Sequence, residues 1–172
     1  GLNPKGVVGW WQALRRIRPD VLFTCNWGSI EVVAGAIVSR VCPVIHTETG
    51  FGPDEIHRLK RRRVLTRRLL LPRVYTIVVP SRRLLKIATV EYRLPPEKVR
   101  LVENGVDCVR FRPGKRREVR QQLGLRPDWT WFGYVGGLRP EKGIDILLRS
   151  FGRAQMEATG LVIVGDGPCR AE

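Results

Sequence analysis

Several loops that follow short apolar runs hold the residue types that could do chemistry. His46 ends one such run, and Glu48, Gly50 and Phe51 follow it in the stretch His46–Pro53. Asn104-Gly105-Val106-Asp107 forms a second turn. Gly136-Gly137 follows Trp131–Val135, with Arg139 and Lys142 close behind, and Gly165-Asp166-Gly167-Pro168 follows Leu161–Val164. A glycine turn after a strand lets backbone N–H groups and a helix N-terminus approach a phosphate, and a nearby Lys adds a movable point charge. Gly136, Gly137 and Lys142 fit that design, although a solvated Lys beside a structural turn fits the same residues. An isolated His is more often a satisfied structural residue than a catalytic one, so chemistry at His46 needs a further argument. The Gly165 to Gly167 turn is similar to the start of a dinucleotide fingerprint, but Arg170 stands where the third glycine would fall, which argues against a nicotinamide enzyme.

The elements that must position these residues alternate in type. Val7, Trp10, Trp11, Leu14 and Ile17 recur at helical spacing and predict an amphipathic helix ending near Pro19. Val21–Cys25 reads as a buried parallel strand, Ser29 as the cap of a helix over Ile30–Val38, and Val44–Thr47 as a second strand. Asp54 is a candidate N-cap for a strongly basic helix running through Leu70. Tyr75–Val79 is a third strand, Ser81 caps a helix from Arg82 to about Tyr92, and Val99–Val102 is a fourth strand after the break at Pro95-Pro96. Between Cys108 and Trp129 the chain turns polar and Arg-rich, as in a connection between domains. A new strand-helix-strand unit then begins, with Ile144, Leu147, Leu148 and Phe151 as the helical apolar face.

Strands alternating with helices predict an α/β protein with mostly parallel sheets, whose ligands bind outside the carboxyl ends of the strands. The expected organisation is a first Rossmann-like domain over 1–110, a connection over 111–129 and the start of a second Rossmann-like domain over 130–172. Two strands and one helix do not close a parallel-sheet core, so the native protein is expected to continue beyond this chain.

Composition narrows the partners without choosing one. Hydrophobic residues make up 43 % and charged residues 27 %, an ordinary globular balance that excludes disorder. The net charge of +15, from 31 Lys plus Arg against 16 Asp plus Glu, attracts nucleic acid, anionic membrane or a phosphate-bearing substrate alike. The basic stretch 57–73 interleaves Lys60, Arg61, Arg62, Arg63, Arg67 and Arg68 with Leu59, Val64, Leu65, Leu69 and Leu70, which suits an anionic lipid surface and equally a core helix with a solvated face. Cys25, Cys42, Cys108 and Cys169 have no metal-ligand spacing and read as buried free thiols in a reducing cytosol. No apolar run reaches the length of a membrane span.

The ordered set Asn104-Gly105-Val106-Asp107, Phe111-Arg112-Pro113, Val135 to Gly143 and Gly165 to Pro168 resembles family 4 glycosyltransferases of the GT-B fold. The segment Cys25–Gly28 and the loop from His46 to Glu55 resemble the acceptor-side domain of some bacterial members. The resemblance implies two doubly wound Rossmann-like sheets, both incomplete here. It also implies transfer of a sugar with retention from a nucleotide-sugar donor to a saccharide or lipid-linked acceptor, in cell-envelope polysaccharide or glycolipid synthesis. By that resemblance His46 and Lys142 are catalytic. Gly136, Gly137, Arg139, Lys142, Gly165 and Gly167 bind the donor, Glu48, Gly50 and Phe51 lie on the acceptor side, and Asn104 and Asp107 lie in an interdomain loop.

Neither metal nor cofactor is implied, and the expected location is cytoplasmic, peripheral on the inner membrane face. Many members carry Arg where this chain has Gly137, and Arg139 stands two positions later. The family's glycine-rich first loop and its paired-glutamate motif do not occur between Gly1 and Glu172, so this chain alone is expected to be inactive. A basic nucleic-acid-binding module and a non-catalytic remnant are the rival readings, but no recognition helix, zinc spacing or RNP-like strand supports the former.

Overall fold

The computed structural model describes residues 2–50, 55 and 59–170. The chain forms two compact units, Gly1–Gly105 and Val106–Glu172.

In the first unit, α1 (Pro4–Ile17) starts where Asn3 Oδ1 accepts the Lys5 N–H and Pro4 presets the first turn, and ends at Arg18 in the left-handed region. It lies directly on α2 (Ile30–Ser39), where a Cβ at Gly35 would meet the Trp10 Cβ at 2.9 Å, so glycine permits the close crossing. Strands β1 (Leu22–Cys25), β2 (Val44–Thr47), β3 (Thr76–Val79) and β4 (Val99–Leu101) pair in chain order and all run parallel. Right-handed crossovers repeated in one direction put every connecting helix on the same sheet face. Burial follows that rule. The row Thr24, His46, Ile77 and Val99 is in register across the sheet and buried throughout. On the opposite face Phe23 is 66 % exposed, with Ile45 and Thr76 beside it only half-buried. The core gathers Leu14, Val33, Leu71, Ile77, Val79, Tyr92 and their neighbours on the helix side.

Two local expectations need correction. Ser29 occupies the N-cap position of α2 without capping it, because its hydroxyl donates to the carbonyls of Cys25 (2.9 Å) and Asn26 (3.1 Å). The basic helix α3 is Arg61–Leu70, shorter than the stretch 57–73, and Leu71–Arg73 is a 3-10 turn since Pro72 has no N–H to continue the ladder. Asp54 and His57 lie outside the described residues. Helix α4 (Arg82–Lys86), capped by Ser81 Oγ on the Leu84 N–H, widens into a π-helical turn over Ile87–Glu91, which brings Ala88 and Tyr92 into the core.

The second unit holds α5 (Arg116–Gln122), β5 (Thr130–Val135), α6 (Ile144–Arg153) and β6 (Thr159–Val164), with β5 and β6 parallel. Arg120 ties α5 to the start of β5 through the carbonyls of Pro127 and Trp129. Leu138 and Ile144 are its buried apolar side chains, whereas Val135 is 81 % exposed, as expected of a two-stranded parallel sheet. Cys25 and Cys108 are exposed and Cys42 and Cys169 half-buried, so contrary to the buried-thiol reading none is fully buried.

Candidate functional site

The first unit concentrates its polar groups under the carboxyl ends of β1 and β2. His46, Glu48, Glu55 and Arg67 are each at most 3 % exposed. Arg67 comes from α3 and reaches Glu48 at two points, Nε to Oε1 at 2.6 Å and Nη2 to Oε2 at 3.2 Å. Its guanidinium is flanked by the rings of Trp27 and Tyr92, 5.2 and 5.0 Å from their centroids. Among the described residues Arg67 Nη1 has no hydrogen-bond partner, and it lies 4.0 Å from Glu55 Oε2, an oxygen that accepts from Arg63 at 2.7 Å. The Tyr92 hydroxyl is also buried without a partner among the described residues, and burial pushes its phenol well above the usual range.

His46 Nε2 lies 3.4 Å from Glu48 Oε1 and Nδ1 lies 2.9 Å from the Thr24 hydroxyl. An ionised carboxylate only accepts, so the His46 Nε2 carries the proton that faces Glu48, and Nδ1 pairs with the Thr24 hydroxyl. Burial by itself would raise the Glu48 carboxyl, but the hydrogen bonds from His46 and Arg67 and the charge of Arg67 outweigh it and hold Glu48 below the usual carboxylate range. Burial likewise opposes the charge on Arg67, and Glu48 more than restores it.

The structure places His46, expected to be catalytic, in the interior of the first unit. Its ring is fully buried with both nitrogens engaged, so it presents no surface to a ligand here. Within the basic stretch, read equally as lipid-facing or as a core helix with a solvated face, Arg67 turns inward. What remains outside is the stripe Arg61, Leu65 and Leu69, with Arg62 beside it.

The surface of the site is built by Asn26 and the loop after β2. The Asn26 N–H donates to the Thr47 carbonyl at 2.8 Å, its Oδ1 accepts the Thr49 N–H at 2.8 Å, and its Nδ2 donates to the Thr49 hydroxyl at 2.8 Å. Gly50 follows, half-buried, with nothing among the described residues within 4 Å of where a Cβ would stand, and Phe51 lies outside the described residues. Arg67, Trp27, Tyr92, Thr24 and Asn26 were not singled out as site residues from the sequence. The Cys25–Gly28 segment and the Arg-rich run were the available signals for two of these places in the chain.

In the second unit, the Gly136 and Gly165 turns are interlocked. The N–H groups of Gly136 and Leu138 donate to the carbonyls of Val164 and Asp166, and Cys169 N–H donates to Leu138. The Gly136 N–H is therefore unavailable to a phosphate, contrary to its expected use, and the Gly137 N–H is the one in this turn without an internal acceptor among the described residues. Any Cβ at Gly165 would fall on the Gly136 carbonyl oxygen, and one at Gly167 on that of Leu138. These two glycines prop the Gly136-Gly137 turn. Arg139 folds back over Gly137, its Nε 3.6 Å from where a Cβ would stand, and Nη1 is 4.0 Å from Glu141. Lys142 closes the 3-10 turn Pro140–Lys142, exposed, ahead of α6, which begins after Gly143 in the left-handed region. Asn104 is exposed at the end of the first unit. Asp107, in the second, accepts the N–H groups of Val109 and Arg110 at 3.0 Å each. Among the described residues no cluster of His, Cys, Asp and Glu could hold a metal.

Parallel strands joined by helices, with glycine turns at their carboxyl ends, define a Rossmann-like α/β protein. The Glycosyltransferase Family 4 model matches residues 1–110, and the chain belongs to that family. Its fold is that of GT-B glycosyltransferases. It is similar to the Anabaena Alr3699/HepE structure in complex with UDP, with a TM-score of 0.73 at 18 % identity over 94 % of this chain and 43 % of that one. A glycosyltransferase from Rickettsia africae ESF-5 is similar with a TM-score of 0.65 at 13 % identity, covering 95 % of this chain and 44 % of that one. Among curated proteins, the D-inositol 3-phosphate glycosyltransferase of Actinosynnema mirum is 40 % identical over 82 residues, 45 % of this chain and 20 % of that protein. The corresponding Mycobacterium marinum protein is 38 % identical over 77 residues, 45 % of this chain and 16 % of its own length. The chain thus spans less than half of the solved structures it resembles, and a smaller share of the curated relatives.

Proposed function

We propose that this chain is part of a nucleotide-sugar-dependent glycosyltransferase that transfers with retention and uses neither metal nor cofactor. The observation that carries this reading is the turn Gly136–Lys142, where the Gly137 N–H, the folded-back Arg139 and the exposed Lys142 leave a cationic, backbone-lined place for a diphosphate. The UDP in the solved Anabaena relative agrees with such a donor. Lys142 neutralises charge growing on the leaving phosphate, with Gly165 and Gly167 fixing the turn. His46 acts from within, holding the loop that carries Glu48 and Gly50 on the acceptor side. The curated relatives are named for an inositol phosphate, and a chain of net charge +15 suits a phosphate-bearing acceptor, whether soluble or lipid-linked.

The stripe Arg61, Leu65 and Leu69, the last two 61 % and 57 % exposed, supports peripheral contact with an anionic membrane at the cytoplasmic face during cell-envelope glycolipid or polysaccharide synthesis. No described helix is long and apolar enough to cross one. The test is incubation of the complete protein with radiolabelled UDP-glucose and D-inositol 3-phosphate, with the product anomer read by proton NMR. Label in a product of unchanged anomeric configuration supports the reading. An inverted product removes retention, and no transfer from any nucleotide sugar removes the enzyme.

A further inference from the structure

The backbone of Asn26 has φ 55 and ψ −173, a combination that glycine visits freely and other residues seldom adopt. A glycine would relieve that strain, yet the position holds an amide whose two polar ends are both engaged. One accepts the Thr49 N–H and the other donates to the Thr49 hydroxyl. The far partner, Thr49, is exposed, and at an exposed site water competes for both bonds, so they add little to holding the fold. Strain accepted in return for exposed bonds points to geometry as what is gained.

The same segment is gripped from within. Thr24 holds His46, Arg67 holds Glu48, and the Glu48 N–H reaches the Val78 carbonyl at 3.0 Å. From His46 to Thr49 the chain is fixed residue by residue, and Asn26 is the clamp at its solvent end. That end stands at the carboxyl edge of a parallel sheet, where ligands of such sheets are received.

We propose that Asn26 is a positioning residue, which holds Thr49 and Gly50 in the arrangement that receives the acceptor. The proposal rests on the transferase reading above for the identity of the ligand, and on the geometry alone for the clamp. Two measurements on the complete protein separate these parts. In amide hydrogen exchange, Thr49 is protected in the parent and in Asn26→Asp, which keeps the acceptor oxygen, and loses protection in Asn26→Ala and Asn26→Gly. Thermal unfolding of the Gly variant stays close to the parent, because relief of strain offsets the lost bonds.

In steady-state kinetics with UDP-glucose and D-inositol 3-phosphate, Asn26→Ala raises the acceptor KM by about tenfold while kcat and the donor KM move by less than about threefold, and Asn26→Asp restores most of the loss. Unchanged Thr49 exchange in Asn26→Ala overturns the clamp whatever the turnover. Altered exchange with an unchanged acceptor KM overturns the positioning role. A parent protein that turns over neither probe, with the exchange pattern intact, overturns the acceptor assignment together with the reading it rests on.

Discussion

Glu48 and Arg67 meet inside the first unit as a two-point ion pair, 2.6 and 3.2 Å between their bonded atoms, with no more than 2 % of either side chain exposed. Such a pair is costly to break from one side, because the remaining charge stays buried without its partner. Arg67→Met is expected to destabilise the protein by about 3–5 kcal/mol. The double variant Arg67→Met with Glu48→Leu should lose distinctly less than the sum of the two single changes. Urea unfolding of the four proteins measures this, and simple additivity would show that the pair does not interact.

The pair also sets a pH dependence. Glu48 is held below its ordinary value in the folded protein, so on acidification the unfolded chain takes up that proton first. The stabilisation is complete above the ordinary carboxyl range near about 4.3 and is lost as pH falls through the lower folded value. Denaturant midpoints measured from neutral to acid pH should fall steeply in the parent and less steeply in Glu48→Gln. Parallel curves would mean that Glu48 has no depressed titration.

The parallel fold was readable from the sequence, and the interior of the site was not. Val44–Thr47 is a strand as its apolar pattern predicts, and the alternation of strand and helix follows from Gly, Pro and capping residues that act locally. Which of six cations near α3 goes inside is a different question. It depends on Glu48, 19 positions earlier, and on Trp27 and Tyr92 on other elements, and none of these leaves a periodic trace around Arg67. The capture of the Gly136 N–H by Val164 is non-local in the same way, so a turn that reads as two open donors offers one. The left-handed backbone of Asn26 is set by Thr47 and Thr49 across the sheet rather than by its neighbours in sequence.

The glycines of the second unit differ in what they tolerate. A Cβ at Gly165 would strike the Gly136 carbonyl oxygen, which is backbone and does not yield, whereas a Cβ at Gly137 would have Arg139 Nε nearest, at an ordinary 3.6 Å. Gly165→Ala is therefore expected to cost about 1–3 kcal/mol and to weaken donor binding by displacing the turn, whereas Gly137→Ala should cost about 0.5 kcal/mol or less. Thermal unfolding together with calorimetric titration of UDP into the complete protein distinguishes them. Equal effects would mean that the interlock of the two turns carries no strain.

The central claim is that the Gly136–Lys142 turn receives a nucleotide-sugar diphosphate and that Lys142 answers the charge that grows as the sugar departs. Lys142 is exposed at the end of its 3-10 turn, and among the described residues its ammonium group has no carboxylate partner to satisfy it. A cation whose contact strengthens in the transition state contributes to kcat more than to donor affinity. Steady-state kinetics of Lys142→Ala in the complete protein, with UDP-glucose saturating and then varied, is the most direct measurement. The account predicts a kcat lower by roughly a hundredfold, about 3 kcal/mol, with a donor KM changed far less. An unchanged kcat would contradict it.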